Sequence, residues 1–269
     1  MAQINSQRRF IFRGIALPFG GRIISRGGTA NAQTIAGPPS SALAVVGGKH
    51  RVVSRGSSFQ DVFKWGATVA HSEGVELADG TYRTTVISSI ADVAATNKPF
   101  VFEAGMLKIS MVADHTETGQ PSITPSEIVF GGDKGMSLDG SPIELEYDND
   151  LKDFPTLDEF EKQYREDRKF FDKYQNVLTH PNGAGKFGDP LPRTPSGYVE
   201  TSFVHRIRYK KKWRDGNVLY LKGFGRLHFG EVLMKDNNRR VTMVRLDMGS
   251  DTEADAVCAE ADPNGSWGN

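Results

Sequence analysis

Apolar and polar residues alternate along much of this chain, and the alternation predicts β-strands. In the segment 143–147, Ile143, Leu145 and Tyr147 fall on one face and two glutamates fall on the other. Successive side chains of a strand point to opposite faces of a sheet, so this spacing is typical of a half-buried strand. The most continuous pattern of this kind covers residues 198–248.

Paired turn residues divide the strands into hairpins. The pairs are Gly47-Gly48, Asp79-Gly80 and Asp139-Gly140, and each lies between two apolar segments. Residues of these types accept the positive φ angles of tight hairpin turns. We therefore expect a mainly β fold, an antiparallel β-sandwich or barrel.

One amphipathic helix interrupts the β pattern. Thr156 and Glu159 have the spacing of a capping box, in which side chain and backbone of the two residues exchange hydrogen bonds. Apolar residues then recur at helical spacing on one stripe: Leu157, Phe160, Tyr164, Phe171, Tyr174 and Leu178. The sequence predicts a single helix over about 156–178, packed on the sheets.

The chain divides into three parts by composition. Residues 1–42 form a basic, acid-free segment with a Gly/Pro/Ser linker, and we expect a strand pair, Arg9–Phe19 and Arg22–Arg26, within it. Residues 43–249 form the β-rich domain, which includes the helix. Residues 250–269 are acidic and lack periodicity, which favours a flexible tail.

Charge is strongly segregated although the formal net charge is zero. Residues 1–60 carry eight basic and no acidic side chains, residues 61–160 carry 18 acidic against 6 basic, and residues 161–220 carry 13 basic against 7 acidic. Such an uneven distribution of charge along the chain is informative about binding partners and association, and not about the fold. The leading hypothesis is a non-enzymatic structural or binding protein that self-associates through complementary charged surfaces. Its assembly arm would use five arginines: Arg8, Arg9, Arg13, Arg22 and Arg26.

A basic stretch with interleaved aromatic residues supports an alternative function, nucleic-acid binding. Lysine and arginine neutralise phosphates, and aromatic rings stack on bases. A solvated hairpin, a lysine-protected sheet edge or a dock for the acidic block of another copy would give the same pattern. The candidate contact residues are Arg206, Arg208, Tyr209, Lys210, Lys211, Lys212, Trp213 and Arg214.

Catalytic motifs are scarce. His71 and Glu73 have the spacing to share one strand face, but no third metal ligand is evident, so we expect no metal site and no cofactor. A paired-carboxylate hydrolase is conceivable in the acidic block 144–153. Cys258 is the single cysteine and has no candidate catalytic partners. A hydrolase of unrecognised type is the second alternative, with its catalytic residues unassigned.

Targeting signals are weak. Arg8-Arg9 faintly resembles a twin-arginine export signal, with Ala30-Asn31-Ala32 as a cleavage site, but Arg13, Arg22 and Arg26 interrupt the apolar stretch between them. No apolar run approaches the ~18 residues needed to span a bilayer. We expect a cytoplasmic protein whose partners are other copies of itself and, alternatively, nucleic acid, with no integral membrane span.

Overall fold

Two antiparallel sheets packed face to face form the molecule, with a small helical lobe at one edge. This computed structural model describes residues 9–24, 32–177, 185–236, 238–249 and 253–268. The arrangement is a β-sandwich and not a closed barrel, which confirms the predicted fold class. Among the described residues, no helix is both long and apolar enough to cross a membrane.

The strands include several that are unusually long. The first twelve are β1 Phe10–Ile24, β2 Ala32–Thr34, β3 Ser41–Ala42, β4 Gly48–Ser54, β5 Ser57–Phe59, β6 Phe63–Trp65, β7 Thr68–Glu76, β8 Tyr82–Asn97, β9 Phe100–His115, β10 Ser122–Phe130, β11 Met136–Leu138 and β12 Ser141–Tyr147. After the helices come β13 Val199–Ser202, β14 Val204–Tyr209, β15 Lys212–Asp215, β16 Val218–Leu221, β17 Gly225–Lys235, β18 Asn238–Met248 and β19 Glu253–Trp267.

The strand order brings the two ends of the chain together. Sheet A has the order β13-β17-β18-β19-β1-β2, with β16 beside β17 and β3 beside β1. In sheet B the order β15-β14-β12-β11-β9-β8 continues from β8 to β6 and β5, while β7 joins β8 to β4 and β10 pairs with β9. The first and last long strands, β1 and β19, therefore lie side by side in sheet A.

The core lies between the sheets, where β1 and β19 face β8 and β9. The ring of Phe19 from sheet A stacks on that of Trp65 from sheet B, with centroids 4.8 Å apart. Phe102 and Phe229 meet edge to face at 6.5 Å. Burying a large apolar side chain stabilises a fold by roughly 1.5–3 kcal/mol, so these inter-sheet contacts hold the sandwich together.

The expected strand pair at the N-terminus is wrong, because β1 is one continuous strand. It runs through Gly20-Gly21, and neither glycine takes the positive φ of a turn. A Cβ at Gly21 would lie 2.5 Å from the carbonyl oxygen of Asp255, so glycine is needed there for close approach to β19. The boundary drawn at residue 42 thus cuts through a sheet.

The expected flexible tail is also wrong, because residues 253–267 form β19 between β18 and β1. Its inward-facing residues are small: Ala254, Ala256, Cys258 and Ala261 are buried. Small side chains lack the β-branched and aromatic signal of a strand. They nevertheless allow this strand to pack closely against sheet B, and burial raises the pKa of the Cys258 thiol to about 12.

Two of the three predicted hairpins are confirmed. Asp79-Gly80 joins β7 to β8, and Asp139-Gly140 joins β11 to β12 with positive φ at both residues. Gly47-Gly48 does not form a hairpin with the segment before it. Instead β4 pairs with β7, and the carbonyl of Val45 accepts a hydrogen bond from the backbone of Phe12 at 3.0 Å.

The helical lobe contains three short helices in place of the single helix expected over 156–178. They are α1 Asp150–Asp153, α2 Leu157–Glu166 and α3 Arg168–Tyr174, and Leu178 lies outside the described residues. Asp167 breaks the helix because its backbone is extended and its carboxylate accepts hydrogen bonds from the backbone amides of Lys169 and Phe170. The aromatic stripe then folds back on itself, with Phe160 against Tyr174 at 4.9 Å.

A buried arginine ties this lobe to sheet A. Arg239 of β18 is 2% exposed, and its guanidinium donates to the carbonyl oxygens of Ile123, Leu151 and Phe154 at 2.6–3.2 Å. Burial lowers its pKa to about 10. The arginine therefore satisfies three carbonyls where the lobe meets the sandwich, and removing it would leave them unpaired.

Candidate functional site

The structure places the predicted basic residues on the β14–β15 hairpin at one edge of sheet B. Two of the arginines are neutralised by neighbouring carboxylates: Arg206 pairs with Glu146 and Asp215, and Arg208 pairs with Glu144. Trp213 lies beside both guanidinium groups, 5.2 Å from that of Arg206. Within the described chain, four exposed cations of the hairpin have no carboxylate partner: Lys210, Lys211, Lys212 and Arg214.

The tip of this hairpin is conformationally costly for its sequence. Lys210 and Lys211 have φ angles of 50° and 63°, the left-handed region that Asn and Gly adopt more readily. Lysine at both positions places two ammonium groups at the tip at the expense of local backbone stability. Such strain is a reason to look for function there.

The three described arginines of the expected assembly arm lie on β1 or directly before it. Arg9 precedes β1, Arg13 and Arg22 are exposed along it, and Arg22 pairs with Asp255 of the adjacent strand at 2.9 Å. Arg8 and Arg26 lie outside the described residues. Residues 10–24 are therefore a strand of their own sheet and not a free arm, while contact of their arginines with another copy stays a prediction.

Four of the five carboxylates of the acidic block 144–153 are likewise paired with basic side chains, and Asp153 has no such partner among the described residues. Asp148 and Asp150 both bind Lys173 of α3, and the Nε2 atom of His205 lies 3.0 Å from Asp148. The carboxylates that a paired-carboxylate hydrolase would use thus join the helical lobe to sheet B.

A second ion network lies on the outer face of sheet A. Arg245 binds Glu231 through two hydrogen bonds of 2.7 and 2.8 Å, and Asp247 binds both Arg245 and His228. Hydrogen bonds from Arg245 and His228 lower the pKa of Glu231 to about 2, despite its burial. In the parts of the chain that are described, no three His, Cys, Asp or Glu side chains converge as a metal site.

A concave site lined by aromatic side chains lies at one end of the sandwich, where strands of both sheets begin and end. It is an open cleft of about 910 Å³, which we call the aromatic cleft. Its walls come from the start of β1, the end of β19, the β7–β8 turn and two loops. The lining residues are Arg9, Phe10, Phe12, Val46, Gly74, Glu76, Gly80, Tyr82, Glu117 and Trp267.

Strand pairing brings the aromatic residues of the cleft together. Phe10 pairs with Trp267 across β1 and β19, and Tyr82 is the first residue of β8 in the opposite sheet. The Phe10 ring stacks on Tyr82 at 4.7 Å, and Trp267 meets both rings edge to face at 5.3 and 5.1 Å. The indole nitrogen of Trp267 donates to the carbonyl of Thr116 at 3.1 Å, which fixes the ring.

Two glycines allow this cluster to form. A Cβ at Gly265 would lie 2.1 Å from the Phe10 ring, and a Cβ at Gly74 would lie 2.6 Å from the Phe12 ring. Both distances are shorter than any real packing distance. The Phe10 ring therefore lies directly over a glycine of the adjacent strand β19, and the Phe12 ring lies over a glycine of β7 in the opposite sheet. Phe10 and Phe12 are thereby buried, while Tyr82 and Trp267 stay partly exposed.

The polar groups of the cleft are mainly acidic. Burial and then the charge of Glu76 raise the pKa of Tyr82, with Glu117 adding to the effect. Behind the rings, burial lowers the pKa of His115 to about 4, so this side chain is neutral at pH 7. Arg9 is the one cation among the described residues that line the cleft.

A smaller groove of about 300 Å³ crosses the outer face of sheet A. Glu200, Leu233 and Arg240 line it from successive strands, and Asp262 of β19 completes it. The Oδ1 atom of Asp262 is buried without a hydrogen-bond partner. Burial raises the pKa of this carboxyl to about 6.

Sequence reasoning missed the aromatic cleft because its residues are far apart along the chain. Phe10 and Trp267 are adjacent in sheet A but stand at opposite ends of the sequence, and Trp267 falls in the segment expected to be a tail. No local motif joins them. The only signal in the sequence was the presence of aromatic residues at the strand ends.

Comparison with known proteins identifies a family for this chain. A family model described as a domain of unknown function (DUF8256) matches residues 10–235, from the first residue of β1 to the last residue of β17. No curated protein and no solved structure matches the chain. The comparisons therefore give a family and leave the function to be argued from the geometry.

Proposed function

We propose that this chain, which belongs to the DUF8256 family, is a non-catalytic binding protein that uses the aromatic cleft to hold its ligand. The observation that carries the proposal is the packed set of aromatic rings that remains open to solvent at the end of the sandwich. Ligand sites are typically concave, lined by aromatic side chains, with a few polar groups that set orientation. The aromatic cleft has all three properties.

The surroundings of the cleft support binding rather than simple core packing. Val46, which lines the cleft, is 84% exposed, and the Tyr82 and Trp267 rings are not fully covered. Exposed apolar groups gathered around a concavity are more informative than single exposed ones. By contrast, the clusters around Lys173 and Arg245 have their charges satisfied within the chain.

Ligand-observed NMR with a library of small fragments tests this proposal. Fragments that bind the wild-type protein should lose at least about tenfold in affinity in Tyr82→Ala and in Trp267→Ala, because each change removes contact area from the cleft. Tyr220→Ala is the matched control, since Tyr220 is 59% exposed on β16 and does not line the cleft.

Thermal unfolding must first show that each variant is folded. If the fragments bind Tyr82→Ala, Trp267→Ala and the wild type equally well, the aromatic cleft is not the binding site. If no fragment binds the wild type, the proposed function is wrong.

Nucleic-acid binding by the β14–β15 hairpin is a second candidate, favoured by the positive φ angles of Lys210 and Lys211. Replacing Lys210, Lys211 and Lys212 with Gln should weaken binding to a single-stranded oligonucleotide. The salt slope of binding should also fall, by up to about 0.7 for each phosphate that the variant no longer neutralises. Fluorescence anisotropy over a salt series measures both quantities. Absence of binding by the wild type at low salt would end this candidate.

Self-association through complementary charges stays a prediction. The pairs Arg206–Glu146, Arg208–Glu144 and Arg22–Asp255 show that part of the segregated charge is neutralised within one molecule. Light scattering after size-exclusion chromatography at low and high salt measures whether the remaining unpaired charges cause the protein to self-associate. Charge-driven assembly should give a larger mass at low salt, because salt screens exposed charges.

A further inference from the structure

Two carboxylates in the aromatic cleft differ from their neighbours in having no cationic partner. Glu76 ends β7, and Glu117 lies in the loop after β9. Nearby, Glu73 pairs with Lys49, and Asp114 pairs with Arg83. Among the described residues, neither Glu76 nor Glu117 forms a salt bridge. The charge of both is felt at Tyr82, so both act on the interior of the cleft.

The charged groups around the cleft leave an excess of negative charge. Glu76, Glu117 and Arg9 are the charged lining residues, and His115 behind the rings is neutral at pH 7 because burial lowers its pKa. Asp114 and Arg83 neutralise each other through two hydrogen bonds of 2.7 and 2.8 Å. Counted over the described residues, the lining carries one net negative charge, which favours cations over anions.

The aromatic rings favour one kind of cation. The faces of Trp and Tyr carry negative electrostatic potential, and they bind cations that shed water easily. Small metal ions need several oxygen ligands in close geometry, and among the described residues no three His, Cys, Asp or Glu side chains converge in this cleft. An organic ammonium ion has a diffuse charge and an apolar surface, so it matches both the rings and the carboxylates.

We propose that the aromatic cleft selects organic ammonium cations, with Tyr82 and Trp267 contacting the alkyl groups and Glu76 and Glu117 supplying the balancing charge. This inference rests on the proposed function, because it names the ligand class of the same cleft. A quaternary or tertiary ammonium group of a small molecule or of a modified side chain has the required chemistry. The volume of about 910 Å³ leaves room for a larger body attached to that group.

Choline and its uncharged isostere, 3,3-dimethylbutan-1-ol, form the decisive pair of probes. They have the same shape and differ by the positive charge, so a difference in affinity isolates charge recognition. Titration followed by NMR shifts of the Trp267 indole should show choline binding at least about tenfold more tightly than the alcohol at low salt. Added salt should weaken choline binding and leave the alcohol nearly unaffected.

A double variant, Glu76→Gln with Glu117→Gln, tests the role of the carboxylates. Its preference for choline over the alcohol should fall by at least about threefold, with the remaining preference supplied by the aromatic rings, while its affinity for the alcohol stays unchanged. Glu127→Gln is the matched control, because Glu127 pairs with Lys108 and does not line the cleft. The control should keep the wild-type preference.

Each outcome separates this inference from the proposed function. Equal binding of choline and the alcohol, or stronger binding of a neutral sugar such as cellobiose, would overturn cation selectivity and leave the cleft as a binding site. If choline fails to bind while library fragments still bind at Tyr82 and Trp267, cation selectivity is likewise overturned and the cleft remains a binding site. Loss of all ligands would remove both proposals.

Discussion

At the scale of single residues, the stability of this sandwich depends on a few positions where a side chain is absent or where a titratable side chain is buried. Gly265 allows the Phe10 ring to lie over β19, and His115 must be neutral to stay buried behind that ring. Asp262 holds a carboxylate oxygen away from water without a partner. Each of these positions affects stability through one identifiable physical cost.

Gly265→Ala should destabilise the protein by about 1–3 kcal/mol, because the added methyl group displaces the Phe10 ring from its place. The same variant should bind cleft ligands more weakly. Urea unfolding measures the first effect and the fragment titration the second. Gly249→Ala is the control, since no atom lies within 4 Å of its Cβ position, and it should stay within about 0.5 kcal/mol of the wild type.

His115 should make stability fall as the pH is lowered from 6.5 to about 4, its unfolded and folded pKa values. Between these two pH values the unfolded chain binds a proton that the folded protein excludes. The contribution of His115 to stability is therefore complete above pH 6.5 and is lost as the pH falls to about 4. His115→Gln is the comparison variant, because glutamine is a neutral polar side chain that cannot titrate at this buried position. The wild type should lose about 2 kcal/mol more than His115→Gln across this pH range. Parallel pH profiles of the two proteins would show the prediction to be wrong.

Asp262 should act in the opposite direction. Burial raises its pKa from 3.8 to about 6, so the folded protein holds the proton more tightly and loses stability as the pH rises through that range. Asp262→Asn removes this cost and should stabilise the protein at pH 7 by about 1 kcal/mol, with little change at pH 4. Urea unfolding at the two pH values measures the difference. A destabilised Asn variant at pH 7 would indicate that the carboxylate is held by Arg240.

At the scale of elements, side-chain hydrogen bonds decide where the helices start. The capping box expected at Thr156 is present: its hydroxyl accepts from the Glu159 backbone at 3.2 Å, and Glu159 accepts from the Thr156 backbone at 3.0 Å. Asp167 uses the same chemistry to begin α3, which divides the expected helix. The aromatic residues of both helices then pack together in one lobe.

Thr156→Ala should cost about 1 kcal/mol of stability, because the backbone amide of Glu159 loses its acceptor. Equilibrium unfolding in urea measures the change. Thr118→Ala, in an exposed loop, is the control and should lie within about 0.5 kcal/mol of the wild type. Equal stabilities of the two variants would contradict the role of the cap.

At the scale of the whole molecule, the first and last strands of the chain pair with each other inside sheet A. β1 pairs with β19 over almost its full length, from Phe10 opposite Trp267 to Ile24 opposite Glu253. Both strands also face β8 of the other sheet. The aromatic cleft exists only because this pairing brings Phe10, Trp267 and Tyr82 to one end of the sandwich.

Deletion of residues 1–24 should therefore abolish cooperative unfolding, since β19 loses one of its two strand partners and the core loses Phe19. Near-ultraviolet circular dichroism and urea unfolding detect the loss. The double variant Arg13→Gln with Arg22→Gln removes two charges and keeps the strand, so it should unfold cooperatively. A truncated protein that keeps native-like signals would show that β1 is dispensable.

The features that could be predicted from the chain alone are local in origin. The alternation in β12, β17 and β18, the turns at Asp79-Gly80 and Asp139-Gly140 and the cap at Thr156 all depend on neighbours within a few residues. Period-2 patterning, positive φ and capping act over that same distance, so they could be read from the sequence. They were enough for the fold class.

The features that join distant residues were decided by tertiary contacts. The alanine-rich segment 253–267 is a strand because β18 and β1 supply its hydrogen bonds, and small side chains carry no strand signal of their own. Gly20-Gly21 continues a strand because the approach of β19 needs the space. The aromatic cleft depends on the pairing of residues 10 and 267, and contacts between chain ends leave no trace in local spacing.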